Sequence, residues 1–311
     1  MPIPPRVIKG RIKSVKNTRK ITKAMELVAA SKMRKSVQLT TASRAYSGTT
    51  KKLVDEIRQY VDSSVHPFLS GQGSVVGGRL SGSRTLLIVA ASDRGLCGGF
   101  NAQILKKTLE FLRSRGEADI RVVTVGRRAE AAVRRAGYTV LASFPAISNA
   151  PSFEGAMPIG RLAVKEFSSG AVNRIFVAYT DFKSAITQIP IVEQLLPIIP
   201  EEELKSISPH SFDPEDPDNR QPTTDQSSIL FEPNPSFVLD NLLPRLVETR
   251  IYQALLESAA SEHAARMMAM RNATDNASGM IDDLTFTYNQ ARQAGITREI
   301  SEISAGKAAL E

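Results

Sequence analysis

The chain has 311 residues, enough for one large or two modest domains, and 42% apolar residues with no Trp suit a fold with a limited core. No run approaches the ~18 apolar residues of a membrane span, and a single cysteine, Cys97, excludes an internal disulfide and points to a reducing compartment or to indifference to redox state. The formal net charge of +8 is unevenly placed: residues 1–52 hold nine Lys and five Arg against one acid, Glu26, and the remainder is net acidic.

Residues 6–66 read as one very long proline-free helix. At ~1.5 Å per residue such a helix reaches on the order of 90–100 Å, against ~30 Å for a small domain, so it must hide its apolar stripe on a partner helix. The stripe runs Ile8, Ile12, Val15, then Ile21, Met25, Val28, and later Val54, Ile57, Val61. The step of six from Val15 to Ile21 makes it drift around the helix. Between Ala29 and Thr50 the residues turn small and hydroxylated, which admits a close neighbouring backbone. The basic charge on this helix fits nucleic acid, an anionic surface or an acidic protein. Nucleic-acid binding calls for interleaved aromatic or Asn/Gln residues, but Tyr46 is the one aromatic in residues 1–52. A solvated face or an acidic protein partner is the better account.

Residues 69–83, with five Gly, read as a flexible connection. Strand and helix signals then alternate: strand Arg84–Ala91, helix Asn101–Arg115, strand Ile120–Val125, helix Arg127–Ala136, strand Thr139–Phe144, helix Phe153–Phe167 and strand Arg174–Tyr179. This order predicts parallel strands joined by crossovers, a small Rossmann-like α/β domain. Ala185–Ile199 is an apolar, proline-punctuated segment, expected as a last strand leaving the sheet. Residues 201–228 are acidic and rich in Pro, Asp, Ser and Thr, a composition that buries no core and predicts a loop.

Residues 245–311 read as the second long proline-free helix. Leu256, Ala260, His263, Met267, Met270, Thr274, Ala277, Ile281, Leu284, Tyr288 and Ala291 fall at alternating steps of four and three, the 3.5-residue repeat of a supercoiled helix pair. The register shifts at Gly295 and resumes with Ile296, Ile300, Ile303 and Leu310. The fold class is therefore α/β with a long antiparallel coiled coil of N- and C-terminal helices. The expected divisions are 1–68, 69–236 and 237–311.

An enzyme would have to use the loop Ser92-Asp93-Arg94-Gly95-Leu96-Cys97-Gly98-Gly99-Phe100-Asn101, where a strand hands over to a helix. Its glycines match neither GxGxxG nor GxxxxGK[ST], and no Lys or Ser/Thr follows them to hold phosphate. A tight strand-to-helix turn explains Gly-Gly better. Cys97 is a nucleophile in principle, but His66, His210 and His263 fall in a helix end, a loop and a heptad seam, none an evident base. No metal-ligand cluster appears, so neither cofactor nor metal is expected.

Three segments carry a resemblance. Ile-Lys-Ser-Val-Lys-Asn-Thr-Arg-Lys-Ile-Thr-Lys-Ala-Met-Glu-Leu-Val-Ala-Ala-Ser-Lys-Met-Arg at 12–34, Ser-Asp-Arg-Gly-Leu-Cys-Gly-Gly-Phe-Asn at 92–101, and the pair Glu262–Ala277 and Tyr288–Ala294 followed by Ile296-Thr297 resemble, in order, signatures of the gamma subunit of F-type ATP synthase. The resemblance implies a rotating central stalk whose coiled coil enters the hexamer of α and β subunits, with a Rossmann-like foot on the c ring and an epsilon subunit alongside. It implies no catalytic residue in this chain. Nucleic acid is no partner, and the membrane is reached only through the complex, peripherally on the cytoplasmic side of a cell membrane. Arg292 and Gln293 are implied to meet an acidic loop of β, and Lys20, Lys23 and Met25 to lie near its acidic lever segment and near the C-terminal helix. Phe231 and Glu232 are implied to face the c ring. Arg266 and Met267–Met270 are implied to pack within the stalk.

Overall fold

The computed structural model of the chain describes residues 4–60, 66–70, 84–115, 120–198 and 235–308, with side chains left aside at 45–60 and at a few helix-end positions. The elements in order are α1 (Pro5–Tyr60), α2 (Pro67–Ser70), β1 (Thr85–Ala90), α3 (Phe100–Ser114), β2 (Ile120–Val125), α4 (Arg127–Arg135), β3 (Val140–Phe144), α5 (Phe153–Ser168), β4 (Arg174–Phe182), β5 (Gln188–Leu196) and α6 (Pro235–Ala308). They divide into two compact units: one holds the described parts of Met1–Lys32, Leu96–Gly98 and His263–Glu311, the other those of Met33–Gly95 and Gly99–Glu262.

The second unit is built on a five-stranded sheet in the order β3-β2-β1-β4-β5. The first four strands are parallel, and β5 runs antiparallel to β4. The last strand therefore does not leave the sheet: the chain turns back after Phe182, with Ser184 N–H donating to the Thr187 carbonyl at 3.0 Å, and β5 pairs along β4 from Gln188 to Leu196. Strand β1 is central, and every residue of Thr85–Ala90 is buried. That explains its unbroken apolar run, since a strand covered on both faces needs no alternation. Leu86, Ile88 and Ala90 join one core with Ala156, Ile159 and Ala163 of α5 and with Leu239, Leu243 and Leu246 of α6. Leu87 and Val89 join the other core with Ile104 and Leu112 of α3 and Ala129 and Val133 of α4.

Helix α6 starts at Pro235 rather than at the expected 245, and so takes in Pro244. Pro removes one ladder hydrogen bond and crowds the preceding turn. Burial of Leu239, Leu243, Leu246 and Val247 around it offsets that cost. At the other end, α1 is described to Tyr60, and the expected continuation to residue 66 crosses positions outside the described residues.

The first unit is a helix pair. On α6, the seam from His263 through Met267, Met270, Thr274, Ala277, Ile281, Leu284 and Tyr288 to Ala291 is buried or half-buried, as its 3.5 repeat predicts. On α1 the seam differs from the expected stripe. Ile21 and Val28 are 60% and 57% exposed, whereas Thr22 and Ala29 are buried. The inward positions of this helix run Ile8, Ile12, Val15, Thr22, Glu26 and Ala29, and the same steps of four and three continue along it through Met33, Ser36, Thr40 and Ser43. With Arg19 as the exposed member the steps never break, so there is no drift. Hydrophobicity alone points to Ile21 and Val28, but at these two turns the seam selects the smaller neighbours Thr22 and Ala29, which let two backbones approach. Thr22 Oγ1 and Thr274 Oγ1 lie 2.8 Å apart across it.

Candidate functional site

Two surfaces are open to a functional reading, the loop at 92–101 and the exposed faces of the helix pair. The loop is held by an internal polar network. Asn101 Oδ1 accepts from the Ser92 N–H at 3.1 Å, and its amide donates to Ser92 Oγ at 2.7 Å, which closes the turn between β1 and α3. Asp93 accepts from the Arg127 N–H at 3.1 Å through one oxygen, and from the Ala146 N–H at 3.0 Å and the Ser148 hydroxyl at 2.8 Å through the other. Burial works against its charge, yet the Ser148 hydroxyl and the two backbone donors outweigh it and hold the carboxyl below its ordinary value. One carboxylate thus ties the loop after β1 to the start of α4 and to the segment after β3. The first N–H of α4, where a phosphate would rest, is taken by Asp93.

Backbone geometry explains the neighbouring glycines. Gly126 has φ +90°, and a Cβ there would stand 2.1 Å from the Ala91 carbonyl oxygen. Gly98 has φ +55°, and its Cβ would meet the Ala265 carbonyl oxygen and Ala269 Cβ at 3.8 Å. Gly98 is a turn residue laid against α6 within the helix-pair unit. Cys97 is buried. Among the described residues no three His, Cys, Asp or Glu gather as metal ligands, and no helix is long and apolar enough to cross a membrane.

The helix pair presents the other surface. Lys20, Lys23, Arg292 and Gln293 are exposed, and Met25 is half-buried on the seam side of α1. Lys23 Nζ is paired along the helix with Glu26 at 3.0 Å. Lys20, Lys23 and Met25 lie within one turn or so of each other, while Arg292 and Gln293 lie beyond the last inward seam position of α6, Ala291. From 292 onward every α6 side chain that is described is exposed, including Ile296, Ile300 and Ile303. The resumed seam expected at those isoleucines has no partner helix among the described residues of this unit, because antiparallel pairing with α1 runs out where α1 begins. Leu310, Phe231 and Glu232 fall outside the described residues.

A family model described as ATP synthase matches residues 5–310. The ATP synthase gamma chain of Actinobacillus pleuropneumoniae serotype 3 (strain JL03) is 39% identical over 305 residues, 97% of this chain and 98% of that one. The chain belongs to the ATP synthase gamma chain family. Other gamma chains agree: that of Dehalococcoides mccartyi is 38% identical over 98% of each chain, and that of Chlorobaculum tepidum 37% identical over the same shares. Among solved structures, a chain of the Tetrahymena thermophila mitochondrial ATP synthase central stalk and c ring aligns with TM-score 0.57 at 24% identity, covering 81% of this chain and 99% of its own. A chain of the Euglena gracilis mitochondrial ATP synthase rotor aligns with TM-score 0.59 at 18% identity, covering 94% and 98%. These structural likenesses establish the fold, a sheet domain with long terminal helices.

A polar cluster in the second unit is absent from the residues that sequence reasoning singles out. Arg44 of α1 meets Glu257 of α6 and Asp181 of β4. The available signal was two acids, Glu257 and Glu262, set in the small and apolar run from Leu255 to Ala265.

Proposed function

We propose that this chain is the central rotor stalk of an F-type ATP synthase, coupling ion-driven rotation of a membrane c ring to conformational change at catalytic sites on β subunits. It supplies no catalytic residue of its own. The reading rests above all on family membership over nearly the whole chain. The form of the helix pair supports it: a seam narrowed by small residues at Thr22, Ala29, Thr274 and Ala277, with basic side chains outside, suits a shaft turning inside an acidic collar.

In this reading α and β subunits surround the helix pair, and an epsilon subunit and the c ring meet the sheet domain. The divisions at 1–68, 69–236 and 237–311 assign helix, foot and helix. Arg292 and Gln293 meet an acidic loop of β, and Lys20, Lys23 and Met25 face its lever segment. Phe231 and Glu232 belong to the foot. The protein is peripheral, on the cytoplasmic side of a cell membrane, and needs no cofactor. Rotation acts by differential contact: each angle of an asymmetric shaft favours one conformation of each β subunit.

The test is co-expression with the α and β subunits of the same organism, followed by size exclusion and an ATPase assay. One copy per three αβ pairs, with turnover lost when residues 12–34 or 281–311 are deleted, is the expected result. A chain that elutes alone and binds nucleic acid or nucleotide overturns the proposal.

A further inference from the structure

Glu257 is buried on α6 in a stretch, residues 253–262, where every residue is buried. Its Oε1 accepts from Arg44 Nε at 3.0 Å and from the Gln253 amide at 2.7 Å. The second arm of the Arg44 guanidinium donates from Nη2 to Asp181 Oδ1 at 3.3 Å and to the Phe182 carbonyl at 3.1 Å. Lys183 Nζ holds the other Asp181 oxygen at 3.3 Å. One side chain of α1 therefore engages both α6 and the last two residues of β4. Ser261 Oγ adds a bond from α6 to the Thr180 carbonyl at 3.2 Å.

We infer that Arg44 is a positioning residue that clamps α1 to the sheet domain, fixing the helix in height and angle so that twist passes between them without slack. The inference rests on the rotor reading above. A planar fork with donors in fixed directions locates a helix in a way a single ammonium point charge does not. Three acceptors on two elements, α6 and β4, resist rotation of α1 about its axis as well as sliding along it.

Charge decides how firmly the clamp holds. Burial raises the Glu257 carboxyl to about 7, against the attraction of Arg44 and with the repulsion of Asp181 adding to it. The other charged or titratable groups near it are Tyr179, which feels the Glu257 charge from β4, and beyond it Glu193 and Arg250, with Lys183 outside Asp181. Above about 7 Glu257 is ionised, and a buried carboxylate deprived of its cation is strongly destabilised, so every departure of Arg44 is penalised. Below it the neutral carboxyl keeps a hydrogen bond but tolerates departure. The clamp stiffens as pH rises.

The experiment uses the assembled αβγ complex, immobilised through β, with a probe on the sheet domain attached at Lys107→Cys, an exposed position on α3. The angular spread of the probe during pauses reports torsional stiffness. Arg44→Gln and Glu257→Gln are expected to widen the angular variance about twofold, since a neutral hydrogen bond replaces a charge-assisted one roughly twice as strong. Arg44→Lys should fall between them and wild type. Wild type should narrow from pH 6 to pH 8 while Glu257→Gln stays constant. Should Arg44→Gln fail to assemble, the isosteric Glu257→Gln and the charge-preserving Arg44→Lys read the same contact. Unchanged variance in variants that still rotate overturns the clamp. Absence of ATP-driven rotation in the wild-type complex overturns the rotor reading instead.

Discussion

Asp93 shows how a single side chain can organise a motif. Its two oxygens satisfy two backbone N–H groups and one hydroxyl, all close to a parallel sheet. Removing the acceptor leaves those donors without partners, at a cost of about 1–3 kcal/mol. Asp93→Ala should therefore lower the thermal midpoint measurably. The folded carboxyl titrates below its ordinary 3.8, so its contribution is fully present above 3.8 and is lost as pH falls through the lower, folded value. Asp93→Asn keeps the shape without the charge. Its stability deficit against wild type should be full at neutral pH and shrink on acidification, as denaturation followed by circular dichroism would show. Gly126→Ala should be more severe, because its Cβ would overlap the Ala91 carbonyl and no side chain can yield. Cys97→Ser should leave turnover of the complex close to wild type, and Arg292→Ala with Gln293→Ala should impair turnover or assembly. Full activity in the latter pair would remove the assignment of the β contact.

At the scale of elements, the helix pair is governed by what fits between two backbones. Ala29 is buried at the seam and Val28 beside it is exposed. Ala29→Leu should destabilise by about 1–3 kcal/mol through overpacking, whereas Val28→Leu should stay within about 0.5 kcal/mol. Denaturant midpoints of the two variants decide between this seam and the one drawn through the larger residues. The Thr22 and Thr274 hydroxyls offer a second check. Either single change to Val leaves one hydroxyl with a poorer set of partners, and the double change removes both, so the pair should cost less than the sum of its parts. Much of the element plan was legible in sequence: β1, β2, α3, α4 and α5 fall within one or two residues of expectation because apolar runs and punctuation agree locally. The return of β5 was not legible, since pairing to β4 depends on the hydrogen bonds of a distant edge and not on the segment itself.

For the whole molecule, charge and pH set the outer behaviour. Glu257 titrates near 7 in the fold against an ordinary 4.5, so the protonated form is favoured on folding. Stability from this group is full below 4.5 and is lost as pH rises through about 7. Glu257→Gln should accordingly gain stability relative to wild type between pH 6 and pH 8, a comparison that two thermal scans supply. A gain there alongside a looser clamp would mean that stability and rigid positioning draw on the same buried charge in opposite senses. By itself the sequence determined the α/β class, the two long helices, the α6 repeat and the gamma-family signatures, because each is written in local periodicity or in contiguous motifs. Only the tertiary structure decided which face of α1 is the seam, that Pro244 lies within a helix, and that Arg44, Asp181 and Glu257 meet. The seam and the Arg44 contacts depend on partners 137 to 252 residues away in the chain, and a side chain's neighbours at such separations are chosen by packing and desolvation rather than by its own propensity.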